Sequence, residues 1–215
     1  MLQIRNRLRS KINSTVKRVF DLLFGTLLVL ISIPAILLIA TIIKLDSPGP
    51  VFYQDKRIGR NGTKFNCIKF RTMKVNSDQI LKSYLAANKK ARLEWELYNK
   101  LITYDPRVTR PGRFLRSLSL DELPQLFNIL KGEMSLVGPR PYLPREKGQM
   151  GTYAYDILVG KPGLTGLWQV SGRNQLAFTS RLKLDSWYMK NWSLWLDTVL
   201  ILKTVRVVMK RDGAY

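Results

Sequence analysis

The sequence predicts a mixed, helix-rich α/β protein held to a membrane by one apolar segment near its N-terminus, on three observations. Residues 19–43 are almost continuously apolar; as a straight helix they would extend about 37 Å, enough to cross a hydrocarbon core of about 30 Å. Lys and Arg number 36 against 15 Asp and Glu, a formal charge of +21, which points to a polyanionic partner such as nucleic acid, anionic lipid or a phosphorylated substrate. Beyond residue 46, short alternating runs and helical periodicities follow one another without an internal repeat or a clear linker. With 46% hydrophobic residues the charge does not belong to a disordered tail, and most of the chain should fold.

The apolar segment is too long for a cleaved signal peptide and no small-residue cleavage pattern follows it, so it is expected to stay. Arg5, Arg7, Arg9, Lys11, Lys17 and Arg18 precede it; Lys44, Lys56, Arg57, Arg60, Lys64, Lys69, Arg71 and Lys74 follow. Basic flanks on both sides place both ends on the cytoplasmic face. A single helix with that arrangement must enter and turn back, and the expected break is Ser32-Ile33-Pro34: Pro34 has no N–H and frees the Leu30 carbonyl, which the Ser32 hydroxyl could satisfy. A kinked spanning helix is the alternative.

After the turn cluster at 46–50, strand candidates at 51–54 and 64–71 flank Gly59 and Asn61-Gly62 and predict a hairpin. Cys67 falls within the second, at a buried strand position, and a lone cysteine permits no internal disulfide. Residues 77–101 read as a polar helical insert, solvated or interfacial. Trp187, Tyr188, Trp192 and Trp195 lead into an apolar and basic run over 194–211. That composition suits a helix in the headgroup layer with Lys203, Arg206, Lys210 and Arg211 toward water, or else a core helix.

The absence of histidine excludes Ser-His-Asp and Cys-His catalysis and imidazole-ligated zinc. Carboxylates are the better candidates. Ser119 followed by Glu122 is a capping-box pattern, Pro124 suits a first helical turn, and Leu123, Leu126, Phe127 and Leu130 form an apolar stripe. A helix is therefore expected from about Ser119, with Asp121 and Glu122 in its first turn, where the dipole favours carboxylates and bound phosphate alike. Acids there can serve capping alone. Arg113, Arg116 and Gly138-Pro-Arg-Pro141 supply the cations that a nucleotide diphosphate would need. Pro139 and Pro141 preset the chain around Arg140, unless the segment is only a Pro-rich surface turn. Residues 162–166 lack the spacing of a phosphate-binding loop.

Seven segments in order carry a resemblance: Lys17-Arg18-Val-Phe-Asp21, Ser-Pro-Gly-Pro-Val-Phe-Tyr-Gln at 47–54, Lys-Phe-Arg-Thr-Met at 69–73, Arg-Ser-Leu-Ser-Leu-Asp-Glu-Leu-Pro-Gln-Leu-Phe-Asn at 116–128, Ser-Leu-Val-Gly-Pro-Arg-Pro at 135–141, Lys-Pro-Gly-Leu-Thr-Gly-Leu-Trp-Gln-Val-Ser-Gly-Arg at 161–173, and Leu-Asp-Ser-Trp-Tyr at 184–188. Together they resemble the bacterial sugar transferases, the monotopic phosphoglycosyl transferases, over roughly residues 15–212. The resemblance implies a monotopic membrane protein: a basic N-terminus and re-entrant helix-break-helix over 1–45, then a catalytic region over 46–215 with interfacial helices on the cytoplasmic face of the bacterial inner membrane. The family carries Ser-Pro at the break, whereas Ile33 here separates Ser32 from Pro34.

It further implies that Asp121 is a nucleophile toward the β-phosphorus of a UDP-sugar, and that Glu122 holds Mg²⁺. UMP leaves, and undecaprenyl phosphate attacks the sugar-phosphoryl aspartate. Arg116 and Arg140, held by Pro139 and Pro141, would cradle phosphate; Lys69 and Arg71 would lie near the nucleotide; Arg173 would touch substrate. Asp185 matches a further acidic position, although taken alone it reads as a helix-surface carboxylate beside Lys183. The helical insert and the lack of an added sensory domain fit priming of exopolysaccharide, capsule or O-antigen synthesis with a hexose, glucose or galactose. Homo-oligomerisation is left open. A nucleic-acid partner is not expected, because it leaves residues 19–43 unexplained, and a non-enzymatic membrane adaptor would leave the Asp-Glu and Gly-Pro-Arg-Pro motifs idle.

Overall fold

The computed structural model describes residues 7–98, 100–172 and 176–210, the side chains of 208–210 excepted. Helix α1 (Lys11–Asp46) buries Lys17, Asp21, Gly25, Val29, Ile36, Ile39 and Ile43, spaced as one face of a helix. Leu23, Leu27, Leu30, Ile31, Leu37 and Leu38 are exposed. One face of the apolar segment is therefore interior to the fold along its whole length, and the rest is exposed.

Polar groups fix the register of that docking. Asp21, the lone acid of the apolar run, accepts from Ser135 Oγ at 2.9 Å and the Leu136 amide at 3.0 Å. Lys17, expected in the basic flank, is buried and donates to Asp197 at 2.6 Å. The expected break at Ser32 and Pro34 does not interrupt the helix. Pro34 removes only one rung of the ladder, and the buried stripe continues past it from Val29 to Ile36.

The hairpin forms as expected, with a longer first strand: β1 (Phe52–Ile58) pairs antiparallel with β2 (Lys64–Phe70), from Phe52 opposite Phe70 to Ile58 opposite Lys64. Asn61, at φ 56°, takes the left-handed position in the turn between them. Cys67 is buried within β2. The insert comprises two helices, α2 (Ser77–Ala87) and α3 (Lys89–Tyr98), divided at Asn88. Next come α4 (Arg110–Ser117), α5 (Gln125–Lys131) and β3 (Ser135–Val137), then α6 (Tyr153–Ile157) and β4 (Gly163–Thr165), which pairs parallel with β3. The chain continues through α7 (Leu167–Val170), α8 (Phe178–Asn191) and α9 (Leu194–Lys210).

Leu126 and Ile129 of α5, Val137 of β3, Met189 of α8 and Leu200 of α9 share the main core. The C-terminal half of α1 joins Phe70 and Leu115 in a second one. The expected interfacial C-terminal helix is thus half core. Tyr188, Trp192 and Leu200 are buried, while Trp187 and Trp195 are 50% and 74% exposed. Asp197 explains the division: it is fully buried, and it accepts from Tyr188 OH at 2.7 Å and Trp192 Nε1 at 3.0 Å besides Lys17. Arg5, Arg211 and the Lys210 side chain, placed by charge at the membrane surface, lie outside the described residues.

Candidate active site

The Asp-Glu pair does not occupy the first turn of a regular helix. Pro124 cannot donate to the Leu120 carbonyl, which the Leu123 amide takes instead at 3.2 Å. Leu120–Glu122 is consequently a 3-10 turn, and α5 starts only at Gln125. Ser119 makes no capping bond; it follows α4 in the left-handed region at φ 57° and turns the chain toward β2.

Asn128 fastens this turn to the hairpin. Fully buried, it accepts from the Ile68 amide at 3.0 Å and donates to the Asn66 carbonyl at 2.8 Å, so its amide pairs with the β2 backbone as a neighbouring strand would. Lys69 is thereby brought to Glu122, with Nζ 2.6 Å from Oε1, and Gln125 donates to the same carboxylate. Burial alone would raise the Glu122 pKa, but the charge and hydrogen bond of Lys69 outweigh it and hold this carboxyl low. Burial likewise acts to lower the Lys69 pKa, and Glu122 and Asp121 together raise it.

Asp121 has no such partner. Among the described residues no side chain hydrogen-bonds its carboxylate, which takes up only its own backbone N–H. Burial, and next the charge of Glu122, push its pKa up against the pull of Lys69 and Arg116. Arg116 is aimed by Nε, which donates to Thr72 Oγ1 at 2.9 Å. Gly112 allows α4 to approach there, because a Cβ would stand 2.2 Å from the Thr72 carbonyl.

The Gly-Pro-Arg-Pro loop is not a loose surface turn. Gly138 N donates to Thr165 O, Pro139 O accepts from Gly163 N, and Pro141 O accepts from Arg57 Nη1, each at 2.9 Å. Arg140 N donates to Asp185 Oδ2 at 3.0 Å, and Tyr142 OH donates to the same oxygen at 2.7 Å. Residues 163–166 serve this loop: a Cβ on Gly163 would meet Gly138 N at 2.1 Å, and one on Gly166 would meet Gly138 O at 2.2 Å. Asp185 is accordingly no helix-surface carboxylate. It is fully buried on α8, and burial raises its pKa to about 7. The Arg140 guanidinium lies 5.4 Å from the Trp168 ring centre, with Arg181 at 5.5 Å from the same ring.

Arg57 joins the two halves, since its charge acts on both Glu122 and Arg140. Arg71, expected near the nucleotide, spends its terminal nitrogens elsewhere: Nη1 donates to Pro48 O and Nη2 to Ser47 O, both at 2.7 Å. Gly49, at φ 116°, makes room for it. Arg173 lies outside the described residues. Sequence reasoning missed Asn128, Gln125, Thr72 and Arg57. The first two stand inside the Asp-Glu motif, the signal that could have found them.

Asp121 and Glu122 offer adjacent hard oxygen donors, the ligand type that Mg²⁺ takes alongside phosphate oxygens. Among the described residues no third His, Cys, Asp or Glu joins them, so phosphate oxygens and water would complete the coordination.

The family model described as bacterial sugar transferase matches residues 12–211. The chain is 47% identical over 218 residues to an undecaprenyl-phosphate galactose phosphotransferase of Salmonella typhimurium and 46% identical over 218 residues to a UDP-galactose-lipid carrier transferase of Erwinia amylovora, covering all of this chain and 45% of each relative. It is also 46% identical over 204 residues to the exopolysaccharide production protein ExoY of Rhizobium meliloti, across 95% of this chain and 90% of that protein. The chain thus spans about half the length of the first two and nearly all of the third.

Proposed function

Because the chain belongs to the bacterial sugar transferase family, we propose that it transfers a hexose-1-phosphate from a UDP-sugar to undecaprenyl phosphate at the cytoplasmic face of the inner membrane, priming exopolysaccharide, capsule or O-antigen synthesis. The observation that carries this reading is the Asp121 carboxylate, set against the Lys69–Glu122 pair and Arg116 with no hydrogen-bonding side chain of its own. Such a carboxylate, its pKa pushed up and its oxygens free of donor side chains, is a more reactive nucleophile than a solvated one, and nearby cations offset the charge of an approaching diphosphate.

Asp121 attacks the β-phosphorus; the new P–O bond to aspartate forms as the bond to the bridging oxygen breaks, and UMP departs. An oxygen of undecaprenyl phosphate then attacks the same phosphorus, the aspartyl bond breaks, and the carboxylate is regenerated with undecaprenyl-diphospho-sugar as product. Lys69 keeps Glu122 ionised and oriented, Arg116 faces the transferred phosphate, and the pinned loop holds Arg140 toward the acceptor phosphate. Arg71 acts at a distance, by fixing the turn at 47–48. Mg²⁺ held by Glu122 would supply charge neutralisation at the diphosphate. The exposed apolar face of α1 and Trp195 would lie in one leaflet.

Several relatives are named for galactose, glucose or N-acetylgalactosamine transfer, so the donor test is a panel. Purified protein with Mg²⁺ and undecaprenyl phosphate should release UMP from UDP-glucose or UDP-galactose, and donor alone should leave a hexose-phosphate adduct on Asp121 in intact-mass and peptide spectra. Turnover by Asp121→Asn at the wild-type rate would overturn the assignment.

A further inference from the structure

At the other end of α5 from the catalytic turn lies a second cationic site that the transfer reaction leaves unused. Arg18 Nη1 donates to Ile129 O at 2.6 Å and Nη2 to Leu130 O at 2.8 Å, covering the last carbonyls of α5. A Cβ on Gly132 would stand 3.3 Å from Arg18 Nη2 and 3.4 Å from Lys161 Nζ, so two cations crowd one spot. Lys161 is half-buried, and among the described residues nothing pairs with its Nζ. Burial, then the charges of Arg18, Arg60 and Lys17, lower its pKa, opposed only by Asp21. Asp21 is the one carboxylate whose charge acts on Lys161, and it also accepts from Ser135 and the Leu136 amide, while Lys17, a further cation, is paired with Asp197.

The cluster opens onto a cavity of about 290 Å³ lined by four cations, Arg18, Arg60, Lys161 and Lys17, against one acid, Asp21, with Ser14, Thr15 and Val19 beside them. Like charges gathered around an open cavity are unfavourable until an anion enters. The level of the cavity along α1 selects the anion. Ser14 and Thr15 lie just before the apolar run, Val19 begins it, and Val16, Val19, Leu22 and Leu23 are exposed beside it. That is the boundary between headgroup and acyl chain for a helix whose apolar face lies in a leaflet.

We propose that Arg18, Arg60 and Lys161 form a binding site for the phosphate of an anionic phospholipid headgroup, with the acyl chains running along the exposed face of α1. The site rests on the reading of α1 as a membrane element, and it is distinct from the acceptor-phosphate position at Arg140. The bound lipid fills the gap in charge between α1, α5 and the 159–161 segment, and it sets the depth at which the catalytic turn sits.

The test uses the whole chain in nanodiscs. With phosphatidylglycerol present, Lys161 should be modified by an amine-reactive reagent at least fivefold more slowly than in pure phosphatidylcholine, read by peptide mass spectrometry. Millimolar inorganic phosphate added to phosphatidylcholine discs should not reproduce the protection; equal protection by phosphate would overturn a lipid ligand in favour of a soluble one. The Arg60→Gln/Lys161→Gln variant should lose the preference for phosphatidylglycerol vesicles in flotation, whereas Lys56→Gln/Lys64→Gln, which removes the same charge from the hairpin, should keep it. Equal labelling of wild-type Lys161 in both lipids, with the protein bound to both, overturns this inference alone. Failure to bind vesicles of either composition would sink the membrane reading beneath it.

Discussion

Asp197, near the start of α9, accepts hydrogen bonds from Lys17, Tyr188 and Trp192; Asp121, in the turn before α5, accepts none from any side chain among the described residues. Both stand close to lysine and aromatic or arginine neighbours in a strongly basic chain, so net charge does not separate them. Partner geometry does. Three donors converge on Asp197 and consume its lone pairs, which makes it a knot tying α1 to α8 and α9. At the turn before α5 Lys69 is claimed by Glu122 and Arg116 is aimed by Thr72, which leaves the Asp121 carboxylate without a donor side chain, as the proposed nucleophile requires.

Substitutions should pull these two regions apart. Asp121→Asn is expected to lower UMP release at least ~10³-fold with little change in melting temperature, since the turn loses a nucleophile and no contact. Asp197→Ala should do the reverse: it strands Lys17 in the interior at a cost of about 3–5 kcal/mol, read by thermal unfolding in detergent, with the turnover of still-folded protein retained. Lys69→Met lies between them. It should reduce turnover about 10²-fold, and because Lys69 pulls the Asp121 pKa down, its loss should move the acid limb of the pH–rate profile to higher pH.

Asp185 gives a pH signature of its own. In the folded protein it holds its proton to about pH 7, against an ordinary aspartate value of 3.8, so the folded state binds more protons over that interval and stability falls as pH rises through it. Asp185→Asn should flatten the dependence of melting temperature on pH between those limits. The smallest expected effect is that of Asn128→Ala, about 1–3 kcal/mol from the Asn66 carbonyl and Ile68 amide left unpaired; turnover should fall further than stability does, because Lys69 then drifts from Glu122.

What was legible in the sequence was local. Alternation around Asn61-Gly62 gave the hairpin, the apolar run gave α1, and Cys67 was read correctly as a buried strand residue from its neighbours alone. The Asp-Glu pair stands out by pattern, yet its backbone does not follow from it: the capping-box spacing of Ser119 and Glu122 is outweighed by the missing N–H of Pro124. Long-range pairings were hidden. Nothing near Lys17 announces Asp197, 180 residues away, and Asp185 looks like a solvated helix residue until the 138–142 loop folds over it. Arg71 shows the same limit from the other side, since a cation in a shared motif proved to bind backbone carbonyls.

The inward stripe of α1 has a consequence for protein engineering. A membrane anchor that only needed greasiness could be exchanged for any other hydrophobic stretch of similar length. Here Asp21, Gly25 and Lys17 interlock with Ser135, Ile129 and Asp197, so a chimera bearing a foreign anchor should still partition into bilayers while its remaining body, deprived of a wall, misfolds.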